Sequence, residues 1–146
     1  MKAYSASEAY LDFLEREVTP FIEQRYHDST RPADRLLLGA SMGGLISTYA
    51  VITRPGFAGN CAAQSPAYLQ ADSAVIKLLG HLGHVTANLY IQTGTIHDTE
   101  VEANLVQNLL KEKGATIRYE EFHEGHNWTN WRAHLARILE HFFRPN

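Results

Sequence analysis

A single cysteine, Cys61, excludes an internal disulfide and with it a disulfide-stapled fold. It sits in the apolar run Cys61-Ala62-Ala63, which predicts a buried, inert thiol, and nothing points to an oxidising compartment. No apolar run approaches the length needed to span a bilayer, which argues against a membrane partner. Positive charge is not in excess. Thirteen Lys and Arg against sixteen Asp and Glu leave a formal net charge of -3 with no basic stripe, so a nucleic-acid partner is not expected. Met1 to Ser5 lack an apolar core followed by a cleavage site, and the expected location is therefore cytoplasmic. His123 and His126 have the spacing of a metal pair but no further ligands, so neither a metal nor a cofactor is called for. Repeats, low-complexity stretches and linkers are also missing, so residues 1–146 read as one domain, long enough to bury about two thirds of its unfolded surface.

What is present centres on Leu36-Leu37-Leu38-Gly39-Ala40-Ser41-Met42-Gly43-Gly44-Leu45-Ile46, which reads as a strand, a glycine-flanked serine and a helix in succession. A serine on so tight a turn has a strained backbone, and the residues two before and two after it, Gly39 and Gly43, are expected to be small so that the chains can pass. The helix after Ser41 aims its free N–H groups and positive dipole end at the serine, and the Met42 amide is the expected oxyanion donor. The competing reading is a glycine-rich turn that only packs helix on strand.

Upstream, Leu11, Leu14, Val18, Phe21 and Ile22 lie on one side of a helix predicted from Ser7 to Tyr26, with Ser5 and Glu8 spaced as a capping box. Pro20 predicts a kink, or a restart capped by Thr19. His27 to Asp34 reads as a polar loop. Downstream, the patterns predict a strand Asn60 to Gln64, a helix Ser73 to Leu82, a strand Leu89 to Gln92 stopped by Gly94, a helix Glu100 to Lys113 closed by Gly114, a strand Thr116 to Phe122 and a helix Trp128 to Phe143. Strands alternating with helices give an α/β fold with a parallel sheet covered on both faces. Because the chain opens with a helix, one edge of the serine-bearing strand is left uncovered, and the expectation is a homodimer across that edge or completion by a missing N-terminal half.

Ligands of open α/β sheets sit beyond the carboxyl ends of the strands. There the chain places Ser41, then Ser65 to Tyr68, then Thr95 to Thr99, then His123 to Trp128, which is the order serine, acid, histidine. His126, on the segment Glu124-Gly125-His126-Asn127, is the candidate base ahead of His123, which lies closer to the strand. A carboxylate is needed to stabilise an imidazolium, which removes His97 and leaves Asp98 and Glu100. Asp98 is preferred, because Thr99 and Glu102 have capping-box spacing and would leave it free; alternatively Asp98 itself caps the helix. Tyr68, Trp128 and Trp131 are candidate pocket walls, against a reading in which they pack the core.

Gly39-Ala40-Ser41-Met42-Gly43-Gly44, Gly94-Thr95 ahead of an acidic residue, Gly114 before a strand, and Gly125-His126-x-Trp128-x-x-Trp131-Arg132 together resemble the esterase family of α/β-hydrolases that includes enterochelin esterases, feruloyl esterases and esterase D. The resemblance runs from about Leu11 to Phe143 and is to the family's carboxyl-terminal half. It implies a three-layer α/β-hydrolase-like sheet whose N-terminal strands are missing here, and so a partial domain. It also implies a serine carboxylesterase acting on a small-molecule ester, with Ser41 as nucleophile, His126 as base and Asp98 as acid, although some members work with a serine-histidine dyad. Glu124 stands where the family usually has a second glycine, and Asn127 where it has aspartate. The strands that carry the family's second oxyanion donor have no counterpart in this chain, so the second reading is a catalytically weak hydrolase piece that associates through its exposed sheet edge.

Overall fold

The computed structural model describes residues 6–26 and 30–144. Four strands, β1 (Leu36–Ala40), β2 (Asn60–Gln64), β3 (Asn88–Ile96) and β4 (Thr116–Gly125), lie in the order β1-β2-β3-β4 and are all parallel. Parallel neighbours need crossovers, supplied by α3 (Met42–Thr53), α4 (Ala74–His81) and α5 (Glu100–Glu112), and α6 (Trp128–Phe143) follows β4. Successive side chains on a strand face opposite ways, and the core divides accordingly. Cys61, Ala63, Leu89 and Ile91 join Leu45, Val51, Val75, Leu79, Val106 and Leu110 of α3, α4 and α5 on one face. Ala62 and Tyr90 meet Ile138 of α6 on the other. Helices thus cover both faces. Burial pushes the Cys61 thiol up to about 12, the inert state expected of it.

The N-terminal helix is one run with an irregular middle: α1 (Glu8–Phe13), a π-helical turn (Leu14–Val18) and α2 (Thr19–Tyr26). Within the turn, Thr19 N–H reaches back five residues to the Leu14 carbonyl. The widened turn comes where Pro20, which has no N–H and crowds the carbonyl four residues back, would disturb a regular helix. Neither a capped restart nor a sharp break is needed. Ser7 caps α1 by accepting from Tyr10 N–H at 3.4 Å. Ser5 and residues 27–29 lie outside the described residues. Leu11 packs on Ile46 and Ala50 of α3, and Arg54 at the end of α3 pairs with Glu8, Asp12 and Glu15. The apolar side of α2 is less covered than its periodicity suggests, with Phe21 63% and Ile22 39% exposed.

Two strands run past their predicted ends. Gly94 does not stop β3, because it is the site where β4 comes closest: a Cβ there would lie 2.1 Å from the Glu124 carbonyl oxygen. The ladder continues with a bulge between Gly94 and Ile96, and Ile96 pairs with Gly125. β1 lies at the sheet edge and Leu38 is 39% exposed there. No helix among the described residues is long and apolar enough to cross a membrane.

Candidate active site

Ser41 stands between the last residue of β1 and the first of α3, with φ 55° and ψ -118°. The strained backbone is held by its neighbours: Ser41 N–H donates to the Gln64 carbonyl at 2.8 Å, and the Ser41 carbonyl accepts from Leu45 and Ala67. The close approach that this turn requires falls on Gly39, where a Cβ would sit 2.3 Å from the Gly43 carbonyl group. Gly43 itself has open space around its missing Cβ, so the expected need for smallness on both sides of the serine holds on one side only. Ser41 makes no side-chain cap to α3, which leaves its hydroxyl facing outward. Met42 opens α3, and its N–H is one of the first-turn groups that lack an intrahelical acceptor.

Asp98 follows β3 and is fully buried at its side chain. Its Oδ1 accepts from Thr99 N–H at 2.9 Å, and its Oδ2 from Gly94 N–H at 2.6 Å and the Ser65 hydroxyl at 2.7 Å. The helix-capping position belongs to Thr99, but Thr99 makes no side-chain cap; its hydroxyl bonds Thr93. The expected box with Glu102 therefore does not form. Glu102 instead accepts from Leu69 N–H, and its carboxyl is held above the ordinary range because burial outweighs its backbone donors. Glu100 lies in the first turn of α5, and its Oε2 is buried without a hydrogen-bond partner.

His126 lies between the last residue of β4 and the Asn127 cap of α6, whose side chain accepts from Asn130 N–H at 3.1 Å. Both flanks are regular structure, since Glu124 and Gly125 belong to β4 and Asn127 caps α6. His126 Nδ1 is 2.7 Å from Asp98 Oδ1, and His126 Nε2 is 3.0 Å from Ser41 Oγ. Three side chains from three strand ends thus form one contiguous line. His123 is turned to Thr95, 3.4 Å away.

The aromatic candidates separate. Tyr68 is fully buried, with its hydroxyl 2.8 Å from that of Thr48, so it packs the core instead of walling an open pocket. Trp128 is 76% exposed and lines a cavity of about 420 Å³ with Leu38, Gln64, Trp131, Arg132 and Leu135. Trp131 stands edge-on to both the His126 and Trp128 rings. Sequence reasoning placed Ser65 beyond a strand end without giving it a role, and passed over Gln64, Gln92 and Asn130. The available signal was polarity at positions where strand and helix patterns demand apolar residues.

The profile of the family described as "Putative esterase" matches residues 1–142. Protein YjcH of Bacillus subtilis (strain 168) is 28% identical over 143 residues, 90% of this chain and 59% of YjcH. Among solved structures, the enterobactin esterase FES from Shigella flexneri, determined with 2,3-di-hydroxy-N-benzoyl-serine, superposes with a TM-score of 0.86 at 20% identity, covering 96% of this chain and 39% of that one. S-formylglutathione hydrolase from Staphylococcus aureus gives a TM-score of 0.78 at 15% identity, with 97% and 64% covered. The chain spans about half the length of the curated relatives it matches. It belongs to this esterase family, and its fold is that of the α/β-hydrolases.

Proposed function

From membership of this esterase family, we propose that the chain, read as one partial α/β-hydrolase domain, is a serine carboxylesterase that cleaves a small-molecule ester through an acyl-enzyme. The observation that carries the reading is the unbroken line Asp98 Oδ1, His126 Nδ1, His126 Nε2, Ser41 Oγ at 2.7 and 3.0 Å. A buried carboxylate on Nδ1 favours the tautomer with its proton there, which leaves Nε2 free to accept the Ser41 proton. Ser41 Oγ then bonds the ester carbonyl carbon, while the Met42 N–H at the head of α3 faces the developing oxyanion. His126 returns the proton to the departing alcohol, the ester C–O bond breaks, and Asp98 stabilises the imidazolium in between. Water repeats the sequence on the acyl-enzyme and releases the acid. Trp128, beside this line and open to solvent, would meet the acyl or alcohol part.

A fluorophosphonate probe should label Ser41 alone, as read by peptide mass spectrometry, and Ser41→Ala should abolish both labelling and p-nitrophenyl ester hydrolysis. Ser65 is fully buried and Ser47 nearly so, which makes either a poor target; labelling of one of them would overturn the assignment.

The edge of β1 supports a second reading, a hydrolase piece completed by association. Leu36 to Leu38 face a groove of about 490 Å³ whose other walls include Val18, Ile22, Leu139 and Phe143. An apolar strand edge of this kind favours pairing. Under this reading the chain sediments as a dimer at micromolar concentration, and a stable monomer with slow amide exchange in Leu36 to Leu38 would count against it.

A further inference from the structure

Trp131 touches His126 directly and reaches Asp98 through the hydroxyl of Ser65. Its Nε1–H donates to Ser65 Oγ at 2.9 Å, and Ser65 Oγ donates to Asp98 Oδ2 at 2.7 Å. Its ring meets the His126 imidazole edge to face, with centroids 5.1 Å apart and planes at 88°. A closed circuit therefore runs from Trp131 through Ser65, Asp98 and His126 back to Trp131. Ser65 is fully buried and Trp131 is 8% exposed, so solvent does not compete for these bonds.

We propose that Trp131 and Ser65 are positioning residues, with Trp131 fixing the direction of the Ser65 hydroxyl and Ser65 joining the Gly94 N–H in holding the Asp98 oxygen that is turned away from His126; the proposal rests on the esterase reading above. A hydroxyl has one proton to give. With the indole N–H occupying its acceptor side, the Ser65 proton points at Asp98 Oδ2, the oxygen turned away from His126. Both carboxylate oxygens are then pinned, and the carboxylate cannot rotate out of the imidazole plane. Backbone strain marks the same place: Ser65 has φ 43°, a conformation that costs a serine energy and a glycine almost none. The hydroxyl is what a serine supplies there, since the backbone conformation alone suits glycine better.

Ser65→Gly removes the hydroxyl and relieves the strain together, while leaving the buried Trp131 N–H without its acceptor. Turnover per active site, counted by phosphonate titration, should fall roughly 10- to 100-fold with KM little changed, while the melting temperature falls only modestly because the relieved strain offsets part of the cost of the unanswered indole N–H. With one donor gone from Oδ2, the carboxylate accepts more strongly from the imidazole, and the His126 Nδ1–H proton resonance should move downfield in the NMR spectrum. Trp131→Phe keeps a ring beside His126 and loses the N–H; it should lower turnover by about 3- to 10-fold. Because that N–H acts through Ser65, adding Trp131→Phe to Ser65→Gly should cost almost nothing further, and this non-additivity is the signature of the circuit. A merely structural role would lower the titrated fraction of active sites while leaving turnover per site and the His126 Nδ1–H resonance as in the unmutated chain. Unchanged turnover per site together with an unmoved His126 Nδ1–H resonance in Ser65→Gly, or full additivity of the two substitutions, overturns the proposal. The proton resonance needs no turnover, so it decides the matter even in a chain too weak to assay. Failure of the esterase reading itself shows separately, as labelling away from Ser41 in the unmutated protein.

Discussion

Replacing Asp98 by asparagine exchanges one oxygen for an NH2 group in a setting where every neighbour donates. Thr99 N–H and His126 Nδ1 lie against Oδ1, and Gly94 N–H and the Ser65 hydroxyl against Oδ2. If the new NH2 takes the Oδ2 place, it meets the Gly94 amide proton head-on at what is now 2.6 Å, and Ser65 cannot turn its proton away without opposing the Trp131 N–H. If it takes the Oδ1 place, it clashes with Thr99 N–H and offers His126 a donor, which fixes the imidazole as the tautomer with its proton on Nε2. That tautomer cannot accept from Ser41. Leaving one or two buried donors unanswered costs about 1–3 kcal/mol of stability, so the variant folds with a lowered melting temperature. The activity loss is far larger, about 10⁴-fold in kcat, as expected when a triad carboxylate is replaced by its amide and the base is held in the wrong tautomer. The assay is steady-state p-nitrophenyl acetate hydrolysis alongside the rate of fluorophosphonate labelling, with Glu100→Gln as the control that should change neither. Asp98→Asn activity within about tenfold of the unmutated chain would refute the assignment and favour a dyad of Ser41 and His126.

His126→Ala should be about as damaging as Ser41→Ala, and the double variant no worse than either, since nucleophile and base act as one unit; additive losses in kcat would speak against it. Gly39→Ala should destabilise by about 1–3 kcal/mol or prevent folding, because the new methyl lies 2.3 Å from the Gly43 carbonyl, whereas Gly43→Ala meets open space inside a helix and should leave thermal stability unchanged or raised by up to about 1 kcal/mol. Glu120 is partly buried, which disfavours its charge, yet hydrogen bonds from Arg137, Tyr90 and Arg118 outweigh this and hold its carboxyl at about 2 instead of 4.5. A folded-state value below the unfolded one contributes stability above pH 4.5 that is lost as the pH falls toward 2. Glu120→Gln should therefore cost up to about 3 kcal/mol at pH 7, less any screening of the half-exposed arginines, and the gap should close near pH 2 in denaturant melts.

Much of this molecule is legible residue by residue, and the illegible parts have a common cause. The limits of β2 and α6 follow from local pattern: Asn60 to Gln64 lies between two turn segments, and Trp128 to Phe143 repeats its apolar positions at helical spacing behind an asparagine cap. Gly94 misleads because glycine normally ends a strand. Its use here, to let a neighbouring carbonyl come within reach, is a tertiary fact. Pro20 likewise signals a disturbance without saying that a π-helical turn absorbs it. At the site, chain order and chemistry suffice to nominate Ser41, Asp98 and His126. Which neighbours orient them is not local information: Ser65 and Trp131 are 66 positions apart and meet only through the fold.

The buried amides beneath the site explain why that meeting is dependable. Gln64 Nε2 donates to Gln92 Oε1 at 2.9 Å and to the Trp131 carbonyl at 2.8 Å. Gln92 Nε2 donates to Asn130 Oδ1 at 2.5 Å, and Asn130 Nδ2 donates to the Gly125 carbonyl at 3.1 Å and, more weakly, to Asp98 Oδ2 at 3.4 Å. Donation thus runs one way, from the ends of β2 and β3 into the first turn of α6 and on to the carboxylate, which accepts from every side. Each amide is almost fully buried, so reversing any one would leave a donor facing a donor in a place that water does not reach. Neutral groups suit this task. A lysine or arginine in the same position would pair with Asp98 and weaken its hold on the His126 proton, whereas an amide fixes geometry without adding charge. The network ties the turn that carries Asn130 and Trp131 to the sheet that carries Ser41 and Asp98, so the indole that steers Ser65 and flanks His126 is located by the same strands as the groups it positions.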